Sequence, residues 1–173
     1  MKKLSVSLVF LVAIFGFVTV IQSCVKGIDA EAEEKRLLQQ YLDVNNITVD
    51  PTASGLYYIE EEEGTGVAPE IGDTVSINYV TQNVVGKIYD TNIEEKAKEY
   101  NIWDMNRTYE PFRFEVGDSS IILGLNEGIT YMKEGGIATI IMPSHLAYFD
   151  YMTLVFFVEL LAVEKTDPSL SAF

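Results

Sequence analysis

Cysteine and histidine are nearly missing from this sequence, with one of each, Cys24 and His145, in 173 residues. A single cysteine excludes an internal disulfide, and no Cys/His cluster has the spacing of a structural metal site. No Ser-His-Asp or Cys-His grouping offers a nucleophile with its base. Neither a metal nor any other cofactor is expected. Positive charge is scarce too: 12 Lys and Arg stand against 26 Asp and Glu, a formal net charge of -14. Such a field repels a phosphate backbone, so nucleic acid is not an expected partner. No internal repeat is present. The length suits one domain with extensions.

Charge is absent altogether from one long run. After Lys2-Lys3, residues Leu4 to Ile21 are uncharged and mostly apolar. The run is at the short edge for a membrane span. It leads into Ile21-Gln22-Ser23-Cys24, which resembles a bacterial lipobox. That resemblance implies a lipoprotein signal peptide over residues 1–23 and lipidation of Cys24. The other reading is an uncleaved signal anchor with an incidental cysteine. Lipid on Cys24 would hold the chain at a membrane face without a spanning helix. It would also leave the mature chain with no free thiol, as suits an oxidising envelope compartment. Val25, rather than Asp, follows the cysteine. Under the usual sorting rule this implies the outer membrane of a bacterial cell envelope.

Residues 24–53 read as a tether and helical extension. Ala30 to Val44 has acids in its first turns, which suits the helix dipole, and a narrow apolar stripe of Leu37, Leu38 and Tyr41. The helix looks too polar for a core element, so a spacer lying against the domain, or a weak dimer contact, is expected. The sequence does not show the oligomeric state. Pro51 to Gly55 is a turn cluster. Leu56 to Glu62 reads as a strand, and the acids Glu60 to Glu63 as its solvated end. Asp73 to Thr81 alternates like a half-buried antiparallel strand, with Lys87 to Asp90 as its partner. Thr91-Asn92-Ile93-Glu94 has capping-box spacing and predicts a polar helix ending near Trp103. The sequons at Asn46 and Asn106 are read as chance. Thr153 to Glu164 is apolar on both faces and is expected to be a central strand covered on both sides.

Pro111 to Pro143 organises the rest. Phe112 and Phe114 are two apart, so both point to one face of a strand. After a Gly-Asp turn, Ile121 and Ile122 open a short helix to Tyr131, and a Gly-Gly turn leads to an apolar strand. Same-face aromatics and aliphatic helix residues can line a small apolar pocket. The whole predicts an α+β domain: a curved antiparallel sheet of five to six strands wrapped on the Ile121–Tyr131 helix.

The order of motifs resembles the FKBP family of peptidyl-prolyl isomerases. The motifs are SGLYYIEEEEGTG, GDTVSINYV, GKIYDTN, PFRFEVG, IILGLNEGITYMKEGG, PSHLAY and TLVFFVELLAVE. The resemblance implies an FKBP-like domain over residues 54–165, with an insertion near 91–110 and a tail over 166–173. It implies that Asp90 and Tyr148 act as catalytic residues, Tyr148 donating a hydrogen bond to the ligand carbonyl. Tyr79, Tyr89, Phe112, Phe114, Ile121, Ile122, Leu125 and Phe156 would bind substrate. His145 would be an ordinary surface or rim residue. The implied activity is prolyl isomerisation or assisted folding of proline-containing exported polypeptides. The other reading is a catalytically weak or inactive FKBP-fold protein-binding module.

Three departures separate the chain from the family pattern. Leu125 stands where many members have a tryptophan, and leucine offers no flat indole face. Only Phe149 to Met152 separates Tyr148 from the last strand, where the family has a longer loop. Thr91 to Glu110 is longer than the usual connection and long enough to overhang the site, with Trp103 as a packing anchor.

Overall fold

The computed structural model describes residues 29–166. The segment read as a signal peptide, Cys24 and the tail beyond residue 166 lie outside them. Within them, no helix is long and apolar enough to cross a membrane.

The sheet is built on β2 (Thr74–Asn83), whose alternating pattern buries Val75 and Ile77. Its partners are β1 (Tyr57–Glu62), β3 (Ile88–Thr91), β4 (Phe112–Glu115), β5 (Ile137–Met142) and β6 (Leu154–Glu164). The order is β1-β5-β6-β2-β3, with β4 also on β2, and every pairing is antiparallel. Among the described residues, three α-helices complete the α+β fold: α1 (residues 29–44), α2 (Glu94–Glu99) and α3 (Leu123–Ile129). β1 is an edge strand, and its acidic outer half discourages pairing with another chain.

The main core lies between the sheet and α3. Leu125 and Ile129 of α3 are buried with Ile140, Met142, Phe156 and Val158 of the sheet. Each such side chain contributes roughly 1.5–3 kcal/mol by leaving water. Gly124 and Gly128 make α3 a poor helix by propensity, but they let it sit on β5. A Cβ on Gly128 would lie 2.5 Å from Ile140 Cδ1.

The other face of the sheet carries a second cluster, and here the structure corrects the sequence reading of α1. Leu42 of α1 is buried with Ile141 of β5 and Val155 of β6, and Leu38 and Tyr41 pack around them. Glu34 is buried as well. The helix is therefore partly core: its polar residues lie on the outer side, and a short stripe meets apolar side chains from the back of the sheet. β6 is central as expected, but its back is covered only at one end. Val155 is buried, whereas Phe157 is exposed.

Three other local expectations differ. Thr91 does not form a capping box with Glu94. Its hydroxyl donates to the Tyr79 carbonyl at 2.6 Å and accepts from Ile93 N–H, and Ile93 is the N-cap, without side-chain capping. α2 also stops at Glu99, with Asn101 in the left-handed region at φ 57°, rather than running to Trp103. α3 is shorter than predicted too, with Ile122 as its N-cap.

A carboxylate joins the two ends of the domain. Asp73, at the start of β2, accepts from Glu70 N–H (2.7 Å), Lys165 Nζ (2.9 Å) and Thr166 N–H (3.0 Å). Burial opposes its ionisation. Lys165 and the two backbone N–H groups outweigh that, so its pKa lies below the ordinary aspartate value. A lowered folded pKa stabilises the fold above about pH 4, and the contribution is lost as pH falls through the lowered value. Asp73→Ala is expected to cost about 2–3 kcal/mol at neutral pH, measured by urea denaturation. The deficit should shrink toward pH 2; a deficit independent of pH would contradict the assignment.

Candidate active site

A half-open cleft of about 340 Å³ lies between α3 and the concave side of the sheet. Its lining is mostly apolar. β2 supplies Tyr79 and Thr81, β3 supplies Tyr89 and Asp90, β4 supplies Phe112, and β6 supplies Leu154 and Phe156. Ser120, Ile121, Ile122 and Leu125 come from the α3 side, and Tyr148 and Met152 from the loop before β6.

The rings are fixed against each other. Tyr79 stacks on Phe156 with centroids 5.8 Å apart and meets Phe112 edge-on at 6.1 Å. Phe112 stacks on Phe114 at 5.2 Å. Contacts of this kind add about 0.5–1.5 kcal/mol beyond burial. They also limit how far any one ring can turn.

One charged group stands in this wall. The Tyr79 hydroxyl donates to Asp90 Oδ2 at 2.6 Å. Arg107 Nη1 pairs closely with Asp90 Oδ1, and its Nη2 lies 3.4 Å from Asp90 Oδ2 and 3.5 Å from the Tyr79 oxygen. Burial, then the hydrogen bond to Asp90 and its charge, push the Tyr79 hydroxyl up to about 12, with Arg107 acting in the opposite direction. Burial raises Tyr58 to about 12 as well. Raised folded values give stabilisation that is complete below about pH 10 and lost as pH rises through about 12. Ultraviolet titration of the ten tyrosines should show late ionisation near pH 12, and Tyr79→Phe should remove part of that late step. An unchanged late step in Tyr79→Phe would rule the network out.

The insertion between β3 and β4 explains how Arg107 arrives. β4 pairs with β2 up to Ile77, and β3 pairs from Val80 onward, leaving Asn78 and Tyr79 unpaired on that edge. The buried side chain of Asn92 fills the gap. Its Oδ1 accepts from Tyr79 N–H at 2.8 Å, and its Nδ2 donates to the carbonyls of Ile77 (2.9 Å) and Glu110 (3.0 Å). The chain leaves and returns through this point. No residue from 93 to 111 lines the cleft, so the insertion braces the wall from behind instead of overhanging the site. Trp103 is 46% exposed, with Lys98 Nζ 5.6 Å from its ring centroid. It packs on α2 and does not reach the cleft.

The structure gathers nine of the ten residues that the family resemblance placed at the site: Asp90, Tyr148, Tyr79, Tyr89, Phe112, Ile121, Ile122, Leu125 and Phe156. Phe114 does not line the cleft. It faces the same side as Phe112 but lies deeper, buried in the core. Ile121 and Ile122 precede α3 rather than lying in it. The Asn126 side chain holds them there, accepting from Gly117 N–H at 2.8 Å and donating to the Asp118 carbonyl at 2.9 Å. Tyr148 is 64% exposed at the rim. His145 lies outside the cleft, its Nε2 2.8 Å from the Ser54 carbonyl oxygen.

Sequence reasoning missed Thr81, Ser120, Met152 and Leu154 in the lining, together with Arg107 and Asn92 behind it. Thr81 and Leu154 were detectable, because they share faces with Tyr79 and Phe156 at strand spacing. Arg107 was not, since its approach depends on the path of an irregular loop. Among the described residues, no group of three or more Asp, Glu, His or Cys is arranged to hold a metal.

A family model for the FKBP-type peptidyl-prolyl cis-trans isomerase matches residues 66–161. The chain belongs to this family. FkpA of Escherichia coli K12, named an FKBP-type peptidyl-prolyl cis-trans isomerase, is 31% identical over 152 residues, covering 83% of this chain and 50% of FkpA. The short-type peptidyl-prolyl cis-trans isomerase of Methanocaldococcus jannaschii is 40% identical over 77 residues, 44% of this chain and 48% of that protein. The chain thus spans about half the length of these relatives. Among solved structures, FkpA from Escherichia coli superposes with a TM-score of 0.63 at 27% identity, covering 95% of this chain and 76% of that one. A peptidyl-prolyl cis-trans isomerase from Pseudomonas syringae gives 0.60 at 25% identity, covering 79% and 95%. In this FKBP-type chain the aromatic cleft occupies the matched region, while α1 precedes it.

Proposed function

We propose that this protein is a peptidyl-prolyl cis–trans isomerase acting on exported polypeptides and held at the cell envelope by lipid on Cys24. The observation that carries the enzymatic part is the cleft itself. It is an apolar site walled by Tyr79, Phe112 and Phe156, with the exposed Tyr148 hydroxyl at its rim.

Rotation about an X-Pro bond is slow because amide resonance must be lost, against a barrier near 20 kcal/mol. The twisted transition state is less dipolar than the planar ground state and needs less solvation. A dry apolar wall therefore favours it, and no bond to the enzyme has to form. The rings would hold the proline. Tyr148 would donate to the carbonyl preceding it. Asp90 is already committed as an acceptor to Tyr79 and Arg107. Its part is to fix the Tyr79 ring, which packs on Phe112 and Phe156.

A second reading, a binding module with weak or no catalysis, is favoured by Leu125 on the pocket floor and by Tyr148 exposed at the rim. Refolding of a protein limited by proline isomerisation separates the two. The isomerase reading expects the slow phase to accelerate at substoichiometric amounts of the protein. Suppressed aggregation with an unchanged slow phase would favour the binding module. Membrane fractionation of Cys24→Ala tests the tether separately: the variant should leave the membrane fraction, and its retention there would refute lipid anchoring.

A further inference from the structure

Glu34 sits on α1, N-terminal to the region matched by the family model. It is 8% exposed, while its helix neighbours Glu31, Glu33 and Lys35 are in solvent. Its carboxylate accepts from Ser144 N–H at 2.7 Å, Ser144 Oγ at 2.8 Å and Thr153 Oγ1 at 2.9 Å. Ser144 and Thr153 bracket the loop that brings Tyr148 and Met152 to the cleft. A single buried acid from outside the matched region therefore joins both ends of this loop.

The loop needs that support. Phe149 (φ 58°) and Tyr151 (φ 61°) both occupy the left-handed region, which costs a side-chain-bearing residue about 1–2 kcal/mol. Tyr148, Phe149 and Tyr151 are all exposed, so burial does not hold them. Within the loop, Phe149 N–H donates to the Ser144 carbonyl at 2.9 Å and Met152 N–H to Asp150 Oδ1 at 3.1 Å. The first of these bonds reaches the base of the loop, which Glu34 fixes.

We propose that Glu34 is a positioning residue for the cleft. By clamping Ser144 to Thr153 it sets the place of Tyr148 at the rim, making α1 part of the working site as well as a cover for the sheet. In its effect on turnover the inference rests on the isomerase reading; the clamp itself is a statement about the loop.

The test compares Glu34→Ala, Glu34→Gln, Thr153→Val and the Glu34→Ala/Thr153→Val double variant in the full chain, purified in detergent micelles. Two readouts are needed: amide hydrogen exchange, and kcat/KM on a proline peptide. Glutamine can keep all three contacts, because its oxygen can accept from Ser144 N–H and Thr153 Oγ1 while its amide donates to the Ser144 hydroxyl. It should stay close to wild type. Glu34→Ala should speed exchange across residues 147–152 about tenfold more than in β5 and β6, and lower kcat/KM by about tenfold, the scale expected when a binding group is displaced by a fraction of an ångström. Thr153→Val should have a smaller effect, and none when added to Glu34→Ala. Equal acceleration in the loop and in β5 and β6 would mean general destabilisation and overturn the proposal. So would additive effects in the double variant, or a Glu34→Gln as impaired as Glu34→Ala. If the wild type itself does not catalyse exchange, the isomerase reading fails, and the hydrogen-exchange arm still decides the clamp.

Discussion

Asp90→Leu is expected to lower kcat/KM for prolyl isomerisation about ten- to a hundredfold while leaving the domain folded. The Asp90 side chain is 37% exposed, as is that of Arg107, so removing this pair should cost no more than about 1 kcal/mol of stability. Its effect on the cleft is larger. The carboxylate holds the Tyr79 hydroxyl at 2.6 Å, and the Tyr79 ring packs on both Phe112 and Phe156. Without Asp90, the ring keeps its stacking but loses the bond that fixes its tilt, and Arg107 has no anion to hold it behind the wall. A displacement of about 1 Å at a binding surface is worth up to a hundredfold in rate. Asp90→Asn, which retains an oxygen acceptor for one partner, should fall between wild type and leucine. Wild-type kcat/KM in Asp90→Leu, with the fold verified by circular dichroism, would remove Asp90 from the account.

Gly64→Ala is expected to destabilise the domain by about 3 kcal/mol or more, at the severe end of single substitutions. A Cβ there would lie 2.3 Å from the Lys133 carbonyl oxygen, 2.5 Å from that of Glu134 and 2.7 Å from Gly136 N. All three are backbone atoms, so no rotamer change can relieve the clash. The segment after β1 is seated directly on the turn before β5: Gly66 N–H donates to the Glu134 carbonyl at 2.9 Å, and Glu134 N–H to the Val67 carbonyl at 3.0 Å. Admitting a methyl group means breaking this seat. Gly86→Ala is the informative comparison. Its Cβ would meet nothing within 4 Å, but its φ is +84°, so its cost should be the backbone term alone, roughly 1 kcal/mol. Equal denaturation midpoints for the two variants would contradict this packing argument.

The chain order of strands and most of the cleft could be read directly. β2 announces itself by alternation, strand spacing gives the faces of Phe112 and Phe156, and the family resemblance places Ile121 and Ile122 beside them. What the sequence concealed depends on partners distant along the chain. The stripe on α1 looked too narrow for a core element, because nothing in it shows that Ile141 and Val155 wait on the back of the sheet. Glu34 read as one acid among several in a polar helix, although Ser144 and Thr153 give it a buried place. Thr91 had the spacing of a helix cap, but the nearby Tyr79 carbonyl took its hydroxyl. Phe114 shared a face with Phe112, and periodicity does not tell depth: one ring lines the cleft and the other lies in the core.

The central claim is that an apolar cleft with a leucine floor still lowers the barrier to prolyl rotation. Two-dimensional exchange NMR of an Ala-Leu-Pro-Phe peptide, with the wild-type protein at a small fraction of the peptide concentration, tests it most directly. Cis–trans exchange cross-peaks absent from the peptide alone are expected, strongly reduced with Asp90→Leu and weakened with Tyr148→Phe. Exchange no faster than the uncatalysed rate, with peptide resonances still shifting on binding, would contradict it and leave a cleft that binds proline segments without turning them.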